Sequence, residues 1–227
     1  MLCCSCHTWA QDKAAWNNVI DKLKMLRHYS YHTETNALFP NGKKEQTKTE
    51  VCMDADHQRL YYKTGSQVLL LTDKWAYKAD HSNKRVSIFD VARYNKKYKK
   101  AMPELQDVFN NGLMATFLDS VLLRSGTIRS ARQEGSVTTY VIGFPQDALL
   151  QELTLAYDHK RQLPESIRVK SFYRGSPGQK GTSIETYSSG YSATVPEDLF
   201  QTDRYFRVQG GKVQLQQYTT YTISSIL

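Results

Sequence analysis

No run in this 227-residue chain reaches the roughly 18 consecutive apolar residues that a membrane-spanning helix needs, so a helical span is excluded. Cysteine is scarce and oddly placed: Cys3, Cys4 and Cys6 crowd the opening, and only Cys52 lies beyond them. The CCSCH cluster has no CxxC pair elsewhere to complete a zinc site. The histidines at 28, 32, 57, 81 and 159 show no HExxH or other ligand spacing. Asp54-Ala55-Asp56-His57 lacks the Asp-x-Asp-x-Asp-Gly spacing of a calcium loop and sits where a turn is needed. Ser176 has no nucleophile-elbow context, and His32 with Glu34 makes no triad without a supporting geometry. No catalytic residues, no metal and no cofactor are therefore expected. Internal repeats, low-complexity tracts and long linkers are also missing, which favours a single domain.

What is present is ordinary globular material. The chain is 40% hydrophobic and 23% charged, a balance that excludes wholesale disorder. Fifteen tyrosines and eight phenylalanines suit a strand-rich fold, where aromatic rings pack across strands. A net charge of +8 suits anionic surfaces or acidic partners without choosing among them.

The most informative stretch is RLYYKTGSQVLLLTDKWAYKADHSNKRVSIFDV, residues 59–91. It predicts consecutive short strands at 59–63, 66–72, 74–79 and 84–89, with turns at Thr64-Gly65-Ser66 and Asp80-His81-Ser82-Asn83. Strands joined so tightly must pair antiparallel, because a parallel pair needs a long crossover. Before this meander, Trp16, Val19, Ile20, Leu23 and Leu26 fall on one face of a helix expected over 12–28. A hairpin follows, 29–38 and 44–54, turning at Pro40-Asn41-Gly42. After the meander, a basic connector leads to Pro103 and an unusually apolar helix expected at 103–124. Strands are expected again at 127–132, 137–143, 150–157, 165–174, 182–192 and 213–223. The fold class is α+β: a curved antiparallel β-sheet, an incomplete barrel, with helices packed on its concave face.

Thr8-Trp9-Ala10 before Gln11 has the small residues of a signal-peptide cleavage site. The expectation is that residues 1–10 are the remnant of a signal peptide begun upstream of Met1, and that 11–227 form one domain with a C-terminal strand extension. The mature protein would be periplasmic and keep one thiol, Cys52, buried in a strand and inert.

The element order, with LLLTDKWAYKAD at 69–80 and LTLAYDHKRQLPESIRV at 153–169, resembles the periplasmic lipoprotein-carrier family, the LolA-like superfamily. In the first phrase Asp73-Lys74-Trp75-Ala76-Tyr77 stands in for the family's Asp-Gly-Lys and aromatic pair without its glycine. The resemblance covers about residues 12–200 and implies a half-barrel with a hydrophobic cavity for acyl chains. It implies a non-enzymatic protein that binds a lipid or lipoprotein acyl chain, in its most specific form an outer-membrane lipoprotein carrier. The carrier's arginine-bearing Arg-Pro-Gly phrase has no counterpart in the matching strand, Thr49-Glu50-Val51-Cys52-Met53-Asp54.

On that fold, the candidate cavity residues are Val51, Met53, Tyr61, Leu69, Leu71, Met114, Phe117, Leu118 and Val121. Which strand face points inward is open, since a one-residue slip exchanges the two. Arg93, Lys96, Lys97, Lys99 and Lys100, interleaved with Tyr94 and Tyr98, are the candidate contact for an anionic membrane surface or envelope protein. In an exported protein no nucleic-acid partner is expected. The alternative is a cell-envelope scaffold or sensor that uses the same fold to bind another protein, through the basic segment or the tyrosine-rich C-terminal strand.

Overall fold

Alternating apolar and polar side chains, broken by Gly, Asn and Asp turns, dominate the chain, and strands dominate the computed structural model. It describes residues 5–98, 120–145, 149–174 and 181–226. The elements are helix α1 (Ser5–Met25) and strands β1 (His28–Leu38), β2 (Lys44–Asp54), β3 (Arg59–Thr64), β4 (Gln67–Leu71), β5 (Trp75–Asp80) and β6 (Arg85–Asp90). Helix α2 (Val91–Tyr98) and helix α3 (Ser120–Ser125) follow. Then come β7 (Thr127–Glu134), β8 (Val137–Gly143), β9 (Leu150–Asp158), β10 (Leu163–Tyr173), β11 (Thr182–Ser192), β12 (Phe206–Gln209), β13 (Lys212–Leu215) and β14 (Thr222–Ile226).

Twelve strands join one sheet in the order β14-β6-β5-β4-β3-β2-β1-β11-β10-β9-β8-β7. The outermost members, β14 and β7, are not paired with each other, so the sheet is not closed into a barrel. The expected class, α+β with an incomplete barrel, is the class observed. Neighbours in the meander pair antiparallel, whereas β14 joins β6 parallel. The chain divides into two compact units: residues 1–26, 31–48 and 112–191 in one, and 27–30, 49–111 and 192–227 in the other.

In the first unit, the sheet buries one face and keeps the other polar. Tyr140 faces Leu155 and Ile142 faces Leu153 across β8 and β9, all buried. Trp16 of α1 packs its ring 5.3 Å from that of Tyr140 and donates its indole N–H to the Leu123 carbonyl at 3.2 Å. Lys13 donates to the Arg124 carbonyl at 2.7 Å, satisfying an acceptor that the end of α3 leaves open. On the opposite face, Glu152 bridges Arg129 at 3.2 Å and Lys170 at 2.8 Å, a solvated ladder. Since Trp16 is wholly buried, Trp16→Ala is expected to cost about 3–5 kcal/mol in chemical denaturation.

Three elements differ from expectation. The first helix begins at Ser5 rather than 12, within the residues expected as a signal-peptide remnant, and stops at Met25 rather than 28, where the Arg27 carbonyl accepts the Ala55 N–H at 2.8 Å and the alternating His28-Tyr29-Ser30-Tyr31 enters the sheet. The basic connector is in part a helix, α2, started by the Asp90 carboxylate, which accepts the Arg93 N–H at 2.9 Å. The single strand expected at 213–223 is instead split into β13, a turn and the start of β14, and β13 pairs back on the unexpected strand β12 as a hairpin. Gly210 and Gly211, at φ of 58° and 75°, supply the two left-handed residues that a tight hairpin loop needs. The helix expected at 103–124 lies outside the described residues except for its end in α3.

Candidate binding face

The second unit contains a sheet that is apolar on both sides. Directly opposite residues in an antiparallel ladder point to the same face. Along β2–β6 one such row is Cys52, Tyr61, Leu70, Tyr77 and Ile88, flanked by Val68, Ala79 and Val86. This face is sealed by the chain's own C-terminal segment, whose Leu199, Phe200, Tyr205, Phe206 and Leu215 complete a continuous core. The Phe206 ring stacks on Tyr77 at 5.8 Å and meets Trp75 edge-on at 5.5 Å.

The other face carries the rows Met53, Leu60, Leu71, Ala76, Phe89 and Val51, Tyr62, Leu69, Lys78, Ser87. The first row is buried as far as Ala76, with Met53 at 0% exposure. Along the second row burial declines: Val51 is buried, Tyr62 and Leu69 are half-buried, and Lys78 is exposed. The face therefore runs from a dry apolar end to a rim bearing an ammonium group.

Four of the candidate cavity residues, Val51, Met53, Leu69 and Leu71, share this face. Tyr61 points the opposite way, into the core under the C-terminal segment, and its strand neighbour Tyr62 takes the position opposite Leu69. Met114, Phe117 and Leu118 lie outside the described residues, and of Val121 only the backbone, in α3, is described. Leu60, Ala76 and Phe89 belong to the face and escape sequence reading, because only the register of β3–β6 reveals them. Of the basic candidates, Arg93, Lys96 and Lys97 are exposed on α2, while Lys99 and Lys100 lie outside the described residues.

Beside the dry end sits a dense ionic cluster that sequence alone presents as a plain turn. The Asp54 carboxylate, with 3% side-chain exposure, lies 3.0 Å from His28 Nδ1 and accepts from His57 Nδ1 at 2.8 Å. It also accepts from the Arg59 guanidinium and, at 3.3 Å, from the His57 backbone N–H. Burial by itself would raise the Asp54 pKa, but the hydrogen bonds from Arg59 and His57 outweigh it and hold the group below the ordinary carboxylate range. Asp56 is lowered by hydrogen bonds from Arg27 and His28. Arg59 extends the cluster to Glu197 at 2.7 Å and lies 4.6 Å from the centre of the Phe200 ring. Among the described residues no group of three or more His, Cys, Asp or Glu is placed to hold a metal ion. Burial, then the charges of Glu50 and Asp198, push the Cys52 thiol up to about 12, which keeps it protonated and unreactive.

No family model matches the sequence. No curated protein matches it either. Solved structures to which it is similar include a LolA superfamily protein from Nitrosomonas europaea, at 8% identity over 82% of this chain and 97% of that one, with a TM-score of 0.34. An outer membrane lipoprotein-sorting protein domain from Vibrio parahaemolyticus shares 10% identity over 86% and 96% of the two chains, with a TM-score of 0.29. LprF from Mycobacterium bovis shares 10% over 81% and 95%, with a TM-score of 0.40. These likenesses concern the run of the chain, and no ligand or role passes to this protein through them.

Proposed function

We propose that this protein is a non-enzymatic, exported binding protein that accommodates a lipid or a lipoprotein acyl chain on the apolar face of its open sheet. The observation that supports this reading most is the sheet's second apolar face. A strand meander normally buries one side and wets the other, but here the C-terminal segment already covers one side, and Val51, Met53, Leu60, Leu69, Leu71 and Ala76 make the opposite side apolar as well. Decline of burial along Val51, Tyr62, Leu69 and Lys78 fits a hydrocarbon entering from the half-exposed row toward the Met53 end. The resemblance of residues 69–80 and 153–169 to the lipoprotein-carrier family points the same way, as does the cleavage-site phrase at 8–11 for a periplasmic setting. Transport of lipoproteins to an outer membrane is the finer form of the same reading. The second reading, an envelope scaffold, is favoured by α2, which exposes Arg93, Lys96 and Lys97 on one short helix.

Native mass spectrometry of the purified protein is expected to reveal bound acyl species. A charge placed on the half-buried row, Leu69→Lys, should weaken uptake of a fluorescent fatty acid at least tenfold, because an ammonium resists transfer into hydrocarbon. Tyr61→Phe, on the opposite face, should leave uptake unchanged. Equal uptake by the parent and the Leu69 variant, or none by either, would sink the lipid reading. Charge reversal at Lys96 and Lys97 that abolishes capture of an envelope protein, with acyl uptake intact, would favour the scaffold.

A further inference from the structure

The half-buried row of the second face continues past Leu69 into a set of polar donors. Register carries it from Val51 through Tyr62 and Leu69 to Lys78, then to Ser87 of β6 and, across the parallel pairing, to Ser224 of β14. Residues in register on neighbouring strands share a face, so Lys78, Ser87 and Ser224 stand side by side, each one strand spacing of about 4.8 Å from the next. Lys78 is exposed and both serines are half-buried. Among the described residues none of the three is held in a hydrogen bond or an ion pair. An ammonium and two hydroxyls therefore wait, without an acceptor, at the end of an apolar surface. From Val51 to Lys78 that surface spans three strand spacings, about 14 Å, the scale of a single chain laid across the strands.

The row beside this one holds the charges that would compete. Gln67, Asp80, Arg85 and Thr222 are in register there. The Asp80 carboxylate accepts the Asn83 backbone N–H at 3.0 Å on one oxygen and the Asn83 side-chain amide at 2.9 Å on the other, so it serves its own hairpin loop. Arg85 lies directly opposite Asp80. In the two rows together, Lys78 and Arg85 outweigh Asp80 by one positive charge, which suits a monoanion better than a dianion.

We propose that the amphiphile taken by this face is a free fatty acid, whose carboxylate accepts from Lys78, Ser87 and Ser224 and whose chain runs over Leu69 and Tyr62 toward Val51. A carboxylate has room for all three donors on its two oxygens, and its bond to an ammonium is charge-assisted. The Lys78 stem lies against hydrocarbon while its charged end stays at the water, so the chain is buried without burying either charge. This assignment rests on acyl binding at the same face and narrows it: a chain in ester or amide linkage brings no charge for Lys78.

Isothermal titration calorimetry on the full chain at pH 7.5 compares dodecanoic acid, methyl dodecanoate and dodecyl phosphate. The acid is expected to bind at least fivefold tighter than the ester, and the phosphate no tighter than the acid. Lys78→Met should bring the acid-to-ester ratio close to unity, and Lys78→Arg should hold it. Lys63→Met removes another exposed lysine, on the opposite face beside Val68, and should also hold the ratio, which separates a local contact from the protein's overall positive charge. Binding of neither acid nor ester would remove acyl binding itself, and the assignment with it. Equal affinity for acid and ester, a ratio that survives Lys78→Met or falls as far in Lys63→Met, or a phosphate that binds tighter than the acid would each overturn the carboxylate assignment and leave acyl binding in place.

Discussion

Deletion of residues 193–227 is expected to abolish cooperative unfolding and leave a protein that binds a hydrophobic dye. The segment removes Cys52, Tyr61, Val68, Leu70, Tyr77, Val86 and Ile88 from water and supplies β14 as the parallel neighbour of β6. Without it, an apolar sheet face and an unpaired strand edge are exposed together, the combination that promotes aggregation. A single truncation within the segment tests the same idea without removing the strand. Phe206 is 2% exposed between Tyr77 and Trp75, and Phe206→Ala is expected to cost about 3–5 kcal/mol in urea unfolding. A shortened chain that melts cooperatively within a few degrees of the parent would make the segment a dispensable appendage.

Loss of Asp54 is expected to be the most damaging change in the ionic cluster. Asp54→Ala leaves the partly buried Arg59 guanidinium and two imidazoles facing one another, and removing one partner of a buried pair costs about 3–5 kcal/mol. The sign of the pH dependence follows from the lowered pKa of Asp54. Its contribution is complete above the pKa that an aspartate has in the unfolded chain, about 3.9, and disappears as pH falls through the lower folded value. Parent and Asp54→Ala stabilities should therefore stay widely apart from pH 7 down to about pH 4 and converge below it. A constant gap across that acid range would show that the loss is one of packing and not of charge.

Much of the fold is legible because its signals are local. The strands expected at 44–54, 137–143 and 182–192 match β2, β8 and β11, and those of the meander match within one or two residues. Period-two alternation and turn residues act over a few positions, so neither needs a distant partner to be read. The candidate site is less legible for a reason of register. Tyr61 and Leu69 look equally suited to a cavity in sequence, yet Tyr62, not Tyr61, lies opposite Leu69. A strand that is apolar on both faces carries no mark of which is inner, and one residue decides it.

The C-terminal segment and the ionic cluster were hidden for a different reason, sequence distance. Arg59 and Glu197 meet across 138 positions, and β14 pairs with β6 after the whole of the intervening chain has passed. From the amino-acid order alone came the strand-rich class, the open antiparallel meander and the amphipathic first helix, because each depends on side-chain periodicity and turn chemistry along a short stretch. The tertiary structure alone decided that one face of the meander is occupied by the protein's own tail and that His28 lies between two acids. Both depend on which distant residues the packed backbone brings within a few ångströms, and no local pattern encodes that.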